Sequence, residues 1–104
     1  MATYQLLCWQ EIPSVVEARD AAGVQKQALG RRFQELIDLA AMRRGLAGSD
    51  AYLDEWKKSP REEREGSAAD VARAVAEELE SRFDELREQV LETNRQVRAR
   101  SPGA

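Results

Sequence analysis

The hydrophobic pattern of this chain of 104 residues changes once, at Gly30. Before Gly30, short runs of β-branched and aromatic residues alternate with Pro and Gly, which is typical of strands joined by turns. After Gly30, apolar residues recur every three or four positions, which is typical of amphipathic helices. Because the strand pattern and the helix pattern occupy separate parts of the chain, the sequence predicts an α+β fold.

The strand pattern predicts a small three-stranded antiparallel sheet within residues 3–29. Residues 4–9, 14–19 and 24–29 are the expected strands, and residues 20–23 have the composition of a hairpin turn. In the first strand only Gln5 is polar, so this strand is expected to be covered on both faces.

Two short helices are predicted next. The first spans residues 31–44 and carries one apolar stripe, from Phe33 to Ala41, with Gly45 as a left-handed residue that ends it. The second spans residues 50–58 and places Trp56 on its buried side. Ser59, followed by Pro60 and then by Glu62, has the pattern of a capping box, which predicts a further helical turn before Gly66.

The longest periodic segment predicts one helix over residues 67–97. Ser67 with Asp70 predicts its start, and at 1.5 Å per residue it would be about 45 Å long. Its apolar stripe comprises Val71, Val75, Leu79, Phe83, Leu86 and Val90. Because three short strands and two short helices cannot cover so long a stripe, its C-terminal half is expected to protrude or to pair with another helix. Residues 98–104 lose the pattern and are expected to fray, so one domain spans residues 1–97.

The composition excludes several classes of function. The chain has no histidine and one cysteine, Cys8, which excludes an internal disulfide, the usual zinc and haem sites, and histidine-based catalysis. No metal or cofactor is therefore expected. A net charge of -3 does not favour binding to nucleic acid or to anionic lipid. The sequence has no apolar run of membrane-spanning length and no N-terminal signal pattern, so a cytoplasmic location is expected.

A few side chains are candidates for binding. Trp9 and Trp56 are of the residue type that anchors either a core or a protein interface. Arg32 and Asp38 could line a polar pocket, although six positions on a helix separate them by about 120°. Cys8, between apolar neighbours, is expected to be a buried thiol with a raised pKa.

Several short segments together resemble a known family. They are YQLL at residues 4–7 with Trp9, IP at 12–13, RFQE at 32–35 with ID at 37–38 and AM at 41–42, and YL at 52–53 with Trp56. This set, within residues 3–86, resembles the small, mainly alphaproteobacterial family called virulence factor. None of these segments is a catalytic signature. The resemblance implies an accessory role in folate- and corrinoid-dependent one-carbon methyl transfer.

Two classes of function stay open on this sequence. The first is a small non-catalytic accessory protein that acts through protein–protein contacts. Its simplest form is a homodimer through the long C-terminal helix, with Phe83, Leu86 and Val90 at the contact. The alternative is a small ligand-binding domain or enzyme with a site between sheet and helices, using Trp9, Trp56, Arg32 and Asp38.

Overall fold

The computed structural model describes the backbone of residues 1–100 and the side chains of residues 1–92. The fold is α+β, as predicted. Its strands are Ala2–Trp9 (β1), Ile12–Asp20 (β2), Gly23–Ala28 (β3), Trp56–Lys58 (β4) and Glu62–Arg64 (β5). Its helices are Arg31–Arg43 (α1), Asp50–Asp54 (α2), Ala68–Ser81 (α3) and Phe83–Arg100 (α4). The tail predicted to fray, residues 98–104, begins within α4, whose backbone is helical to Arg100, and residues 101–104 lie outside the described residues.

The sheet is antiparallel and has five strands rather than the predicted three. The first three strands form the predicted meander, in the order β3-β2-β1. The hairpin turn at residues 20–23 is confirmed, because Asp20 pairs with Gly23 and its Oδ1 accepts the backbone N–H groups of Ala22 and Gly23. The two additional strands, β4 and β5, both pair with the other edge of β1.

The segment that forms β4 and β5 was predicted to be helical. The helix predicted over residues 50–58 ends at Asp54, and Trp56 lies in β4 opposite Trp9. The helical turn predicted after Ser59 is also wrong. Ser59 donates its N–H to the carbonyl of Leu6, and its Oγ accepts the N–H of Leu6, both at 2.8 Å. Pairing with an open sheet edge therefore outcompetes the local capping signal.

The two faces of the sheet differ in cover. The inner face, which includes Val16 and Ala18, packs against α1 and α3, and these side chains are buried. We call the opposite side the outer face; the strand registers place on it Thr3, Gln5, Leu7, Val15, Glu17, Arg19, Val24, Lys26 and Ala28. These side chains are half-buried or exposed, apart from Gln5. The prediction that β1 is covered on both faces is therefore wrong over residues 3–7.

The single long helix predicted over residues 67–97 is interrupted at Arg82. Two side chains bind carbonyls of the last turn of α3: Ser81 Oγ donates to the carbonyl of Glu78, and Arg32 donates to the carbonyl of Glu80. The N–H of Arg82 donates to the carbonyl of Leu79, three residues back. Side chains that occupy helical carbonyls in this way cause a kink. The kink turns α4 onto α1.

The C-terminal end of α1 and the start of α3 follow the sequence signals. Gly45 has φ +72°, which suits a residue without a Cβ, and the N–H of Leu46 donates to the carbonyl of Ala41 at 2.8 Å. Ser67 Oγ accepts the N–H of Asp70 at the start of α3. The apolar stripe of α1 is buried in the core as predicted.

Candidate functional site

A concave part of the inner face lies between β1, α3 and α4, and we call it the inner groove. A cavity of about 310 Å³ forms one half of it. A second cavity of about 230 Å³ adjoins it and shares Leu6, Leu79 and Arg82 with the first. The floor is apolar, formed by Leu6, Cys8, Pro13, Phe33, Leu79 and Leu86. Leu6, Leu79 and Leu86 are only half-buried, although they pack against the core.

Three carboxylates on the rim of the groove pair with other side chains of the protein, whereas Arg82, Glu85 and Gln89 complete its polar lining. At one end, Tyr4 Oη donates to Glu62 Oε2 at 2.6 Å, and this hydrogen bond raises the pKa of the Tyr4 hydroxyl. Beside it, Arg64 donates to Glu78 at 2.5 Å and lowers the pKa of that carboxyl. The floor leucines, in contrast, pack against the core on one side and keep part of their apolar surface open to the groove.

The other end of the groove is closed by an arginine clamp on the β1–β2 turn. Arg44 donates to Gln10 and, through two nitrogens at 2.8 and 3.1 Å, to the carboxylate of Glu11. Burial raises the pKa of Glu11, but the Arg44 bond and a backbone N–H together hold it below its ordinary value. Gln10 has φ +52°, a left-handed conformation that is uncommon outside glycine. The clamp holds this turn against the end of α1.

Cys8 is the only thiol in the groove. It is half-buried, and burial raises its pKa, so the neutral thiol predominates near neutral pH. Among the described residues, no group of three or more His, Cys, Asp or Glu side chains could hold a metal ion. The floor around Cys8 is an apolar surface.

The two tryptophans lie at one end of the sheet. Trp9 is fully buried, and its Nε1 donates to the carbonyl of Tyr52 at 2.9 Å. Trp56 is half-buried and packs edge-on against the ring of Tyr52, with 6.3 Å between the ring centroids. Trp9 is thus a core residue, whereas Trp56 keeps an accessible edge.

The residues proposed for a helix-pairing contact have neighbours within the chain. Phe83 is 8% exposed, and its ring meets that of Phe33 edge-on at a centroid distance of 5.0 Å. Val90 is completely buried. Leu86 is half-buried in the floor of the inner groove, so it is the member of this set that a partner can reach. The partner contact itself stays a prediction.

Arg32 and Asp38 are not brought together. The Arg32 guanidinium donates to the carboxylate of Glu80 and lies 4.5 Å from the centroid of the Phe83 ring. Glu80 also accepts the N–H of Gly30 at 2.6 Å, so the pair joins the start of α1 to the end of α3. Asp38 is exposed and accepts a bond from Gln34, one turn earlier on α1.

Sequence reasoning missed the inner groove. Leu79 and Leu86 belong to the predicted stripe, but Leu6 and Arg82 were not singled out. Their role depends on the kink and on β4 and β5, for which no local signal was visible. The only indication was that the stripe was too long for the predicted core.

Comparison with known proteins adds a family and no closer relative. A family model described as virulence factor matches residues 7–91. A search of curated proteins and a search of solved structures each gave no match. No helix in the described part of the chain is both long and apolar enough to cross a bilayer.

Proposed function

The chain belongs to the virulence factor family, and from that premise we propose that it is a small non-catalytic accessory protein. Its inner groove binds an apolar segment of a protein partner. On the resemblance described above, the partner is sought among the enzymes of folate- and corrinoid-dependent one-carbon methyl transfer.

The observation that carries this proposal is the contrast between the floor and the rim of the groove. The floor presents half-buried leucines. Covering their remaining apolar surface with a partner lowers the free energy of the complex. On the rim, Glu11, Glu62 and Glu78 already pair with groups of the chain itself. A small polar ligand needs a few convergent polar groups for orientation. An apolar protein segment needs mainly the floor.

The experiment compares capture of partners by the wild type and by two variants of α4. Leu86→Gln makes the floor polar, whereas Glu88→Gln changes an exposed residue on the same helix to the same side chain. Each protein is used as bait in a native lysate, and thermal unfolding by circular dichroism verifies that each is folded. A partner retained by wild type and Glu88→Gln but lost by Leu86→Gln supports the proposal.

Three results would contradict the proposal or change its form. Equal capture by both variants would exclude the groove as the binding surface. A dimeric mass in light scattering that Leu86→Gln converts to a monomer would make a second copy of the chain the partner. Stabilisation of the wild type by a tetrahydrofolate or a cobalamin, unaltered in Leu86→Gln, would favour a ligand-binding domain instead.

A further inference from the structure

Four cations share the outer face with two carboxylates, Glu17 and Glu63, the latter opposite Thr3. The strand register places Lys26 opposite Glu17, and Arg19 two residues along the same face of β2. Lys58, from β4, reaches Glu17 Oε2 at 3.5 Å. Arg61 lines a shallow cleft together with Arg19, Glu17 and Gln5. All four cationic residues are exposed.

Gln5 in this cleft is the buried polar residue of the described chain, with 8% of its surface exposed. Its Oε1 accepts a long bond of 3.4 Å from Arg61 Nε. Among the hydrogen bonds of the described residues, none satisfies its NH₂ group. Buried amides are normally hydrogen-bonded on both sides, so an NH₂ group that borders a cleft is a donor in need of an acceptor.

We propose that this cluster binds an acidic segment of a partner protein. Carboxylates of the segment would accept hydrogen bonds from Arg19, Arg61 and the NH₂ group of Gln5. Leu7, Val15 and Val24 lie on the same face and provide apolar contacts for the residues of the segment that lie between these carboxylates. This surface is on the opposite side of the sheet from the inner groove, so the proposal is independent of the function proposed above.

The distribution of charge directs such a segment to the outer face. Residues 68–92, which form α3 and the first part of α4, contain eight acidic and three basic side chains, and the whole chain has a net charge of -3. At physiological salt, charges act over about 8 Å, so the local cluster outweighs the net charge. Because the protein as a whole is acidic, binding of an acidic probe requires a local basic cluster such as this one.

A protein segment fits the face better than a nucleic acid does. Binding of single strands relies on exposed aromatic rings that stack with bases. At the end of this face Trp9 is buried, and Trp56 packs against Tyr52.

The test measures fluorescence anisotropy of a labelled peptide of alternating Glu and Val residues with the full chain. Arg19→Gln with Arg61→Gln is expected to weaken binding about tenfold, and raising the salt concentration is expected to weaken it further. The matched control, Arg43→Gln with Arg73→Gln, removes two exposed arginines from helices and is expected to leave affinity unchanged. Gln5→Leu, which replaces the amide with an apolar side chain of similar size, is expected to weaken binding without unfolding the protein.

Three outcomes would overturn the proposal. The first is that the peptide does not bind at low salt. The second is that the two double arginine variants lose affinity equally, and the third is that an oligothymidylate with the same number of charges binds more tightly than the peptide. Unchanged affinity in Gln5→Leu would overturn the role of the amide. Binding of the peptide by Leu86→Gln is expected to equal that of the wild type, which separates this surface from the inner groove.

Discussion

The substitution Phe83→Leu tests whether the start of α4 is held by the chain itself. The Phe83 ring meets Phe33 at 72° and lies 4.5 Å from the guanidinium carbon of Arg32. Leucine keeps most of the apolar burial but loses both ring interactions. An edge-on aromatic pair contributes about 0.5–1.5 kcal/mol, and an exposed cation–π contact contributes about 0.5–1 kcal/mol. The expected loss in the free energy of unfolding is therefore about 1–2.5 kcal/mol.

Urea unfolding followed by circular dichroism measures this loss, with Glu88→Gln as the exposed control on the same helix. Combining Phe83→Leu with Phe33→Leu in a double-mutant cycle isolates the ring pair, with an expected coupling of about 0.5–1.5 kcal/mol. The reasoning would be refuted by a change in stability below about 0.5 kcal/mol together with a lower assembled mass in light scattering. That result would place Phe83 in a contact between chains.

Three further predictions concern single polar groups. Asp20 accepts three backbone N–H groups, including that of Ala68 at the start of α3, and these bonds lower its pKa. The stabilising effect of Asp20 is complete above the ordinary aspartate pKa of about 4, and it disappears as the pH falls through the lower pKa of the folded state. In Asp20→Asn, the urea midpoint should therefore decrease less steeply as the pH is lowered. Ser59→Ala removes the acceptor of the Leu6 N–H and should cost about 1–2 kcal/mol, with faster hydrogen exchange at that amide and unchanged exchange in α1. Cys8, whose pKa is raised by burial, should react with iodoacetamide more slowly than a free cysteine at neutral pH; an equal rate would contradict its burial.

Several parts of the fold were predictable because their signals act over a few residues. The alternation before Gly30 indicated the three-stranded meander, and Asp20 with Gly23 marked its hairpin. The stripe beginning at Phe33 indicated α1, and Gly45 marked its end. In each case the residues that form the structure are near neighbours in the chain, so their spacing is sufficient.

The candidate surfaces were not predictable in the same way. The spacing of Phe83 and Val90 correctly indicated an apolar helix face, but not that the face is buried within the chain. Gln5 was noted only as a polar interruption of a strand. Its position beside Arg61 arises because β5 pairs with β1, between residues more than fifty positions apart.

The sequence by itself determined the hydrophobic periodicities, the end of α1 and the start of α3. Only the tertiary structure decided that residues 56–64 become edge strands, that α3 and α4 are separate, and that each face of the sheet keeps an accessible surface. The physical reason is competition between local and distant partners. Ser59 could cap a helix locally, but instead its N–H donates to the carbonyl of Leu6 and its Oγ accepts the N–H of Leu6. Arg32, 48 residues away in the chain, takes the Glu80 carbonyl that a continuous helix would need.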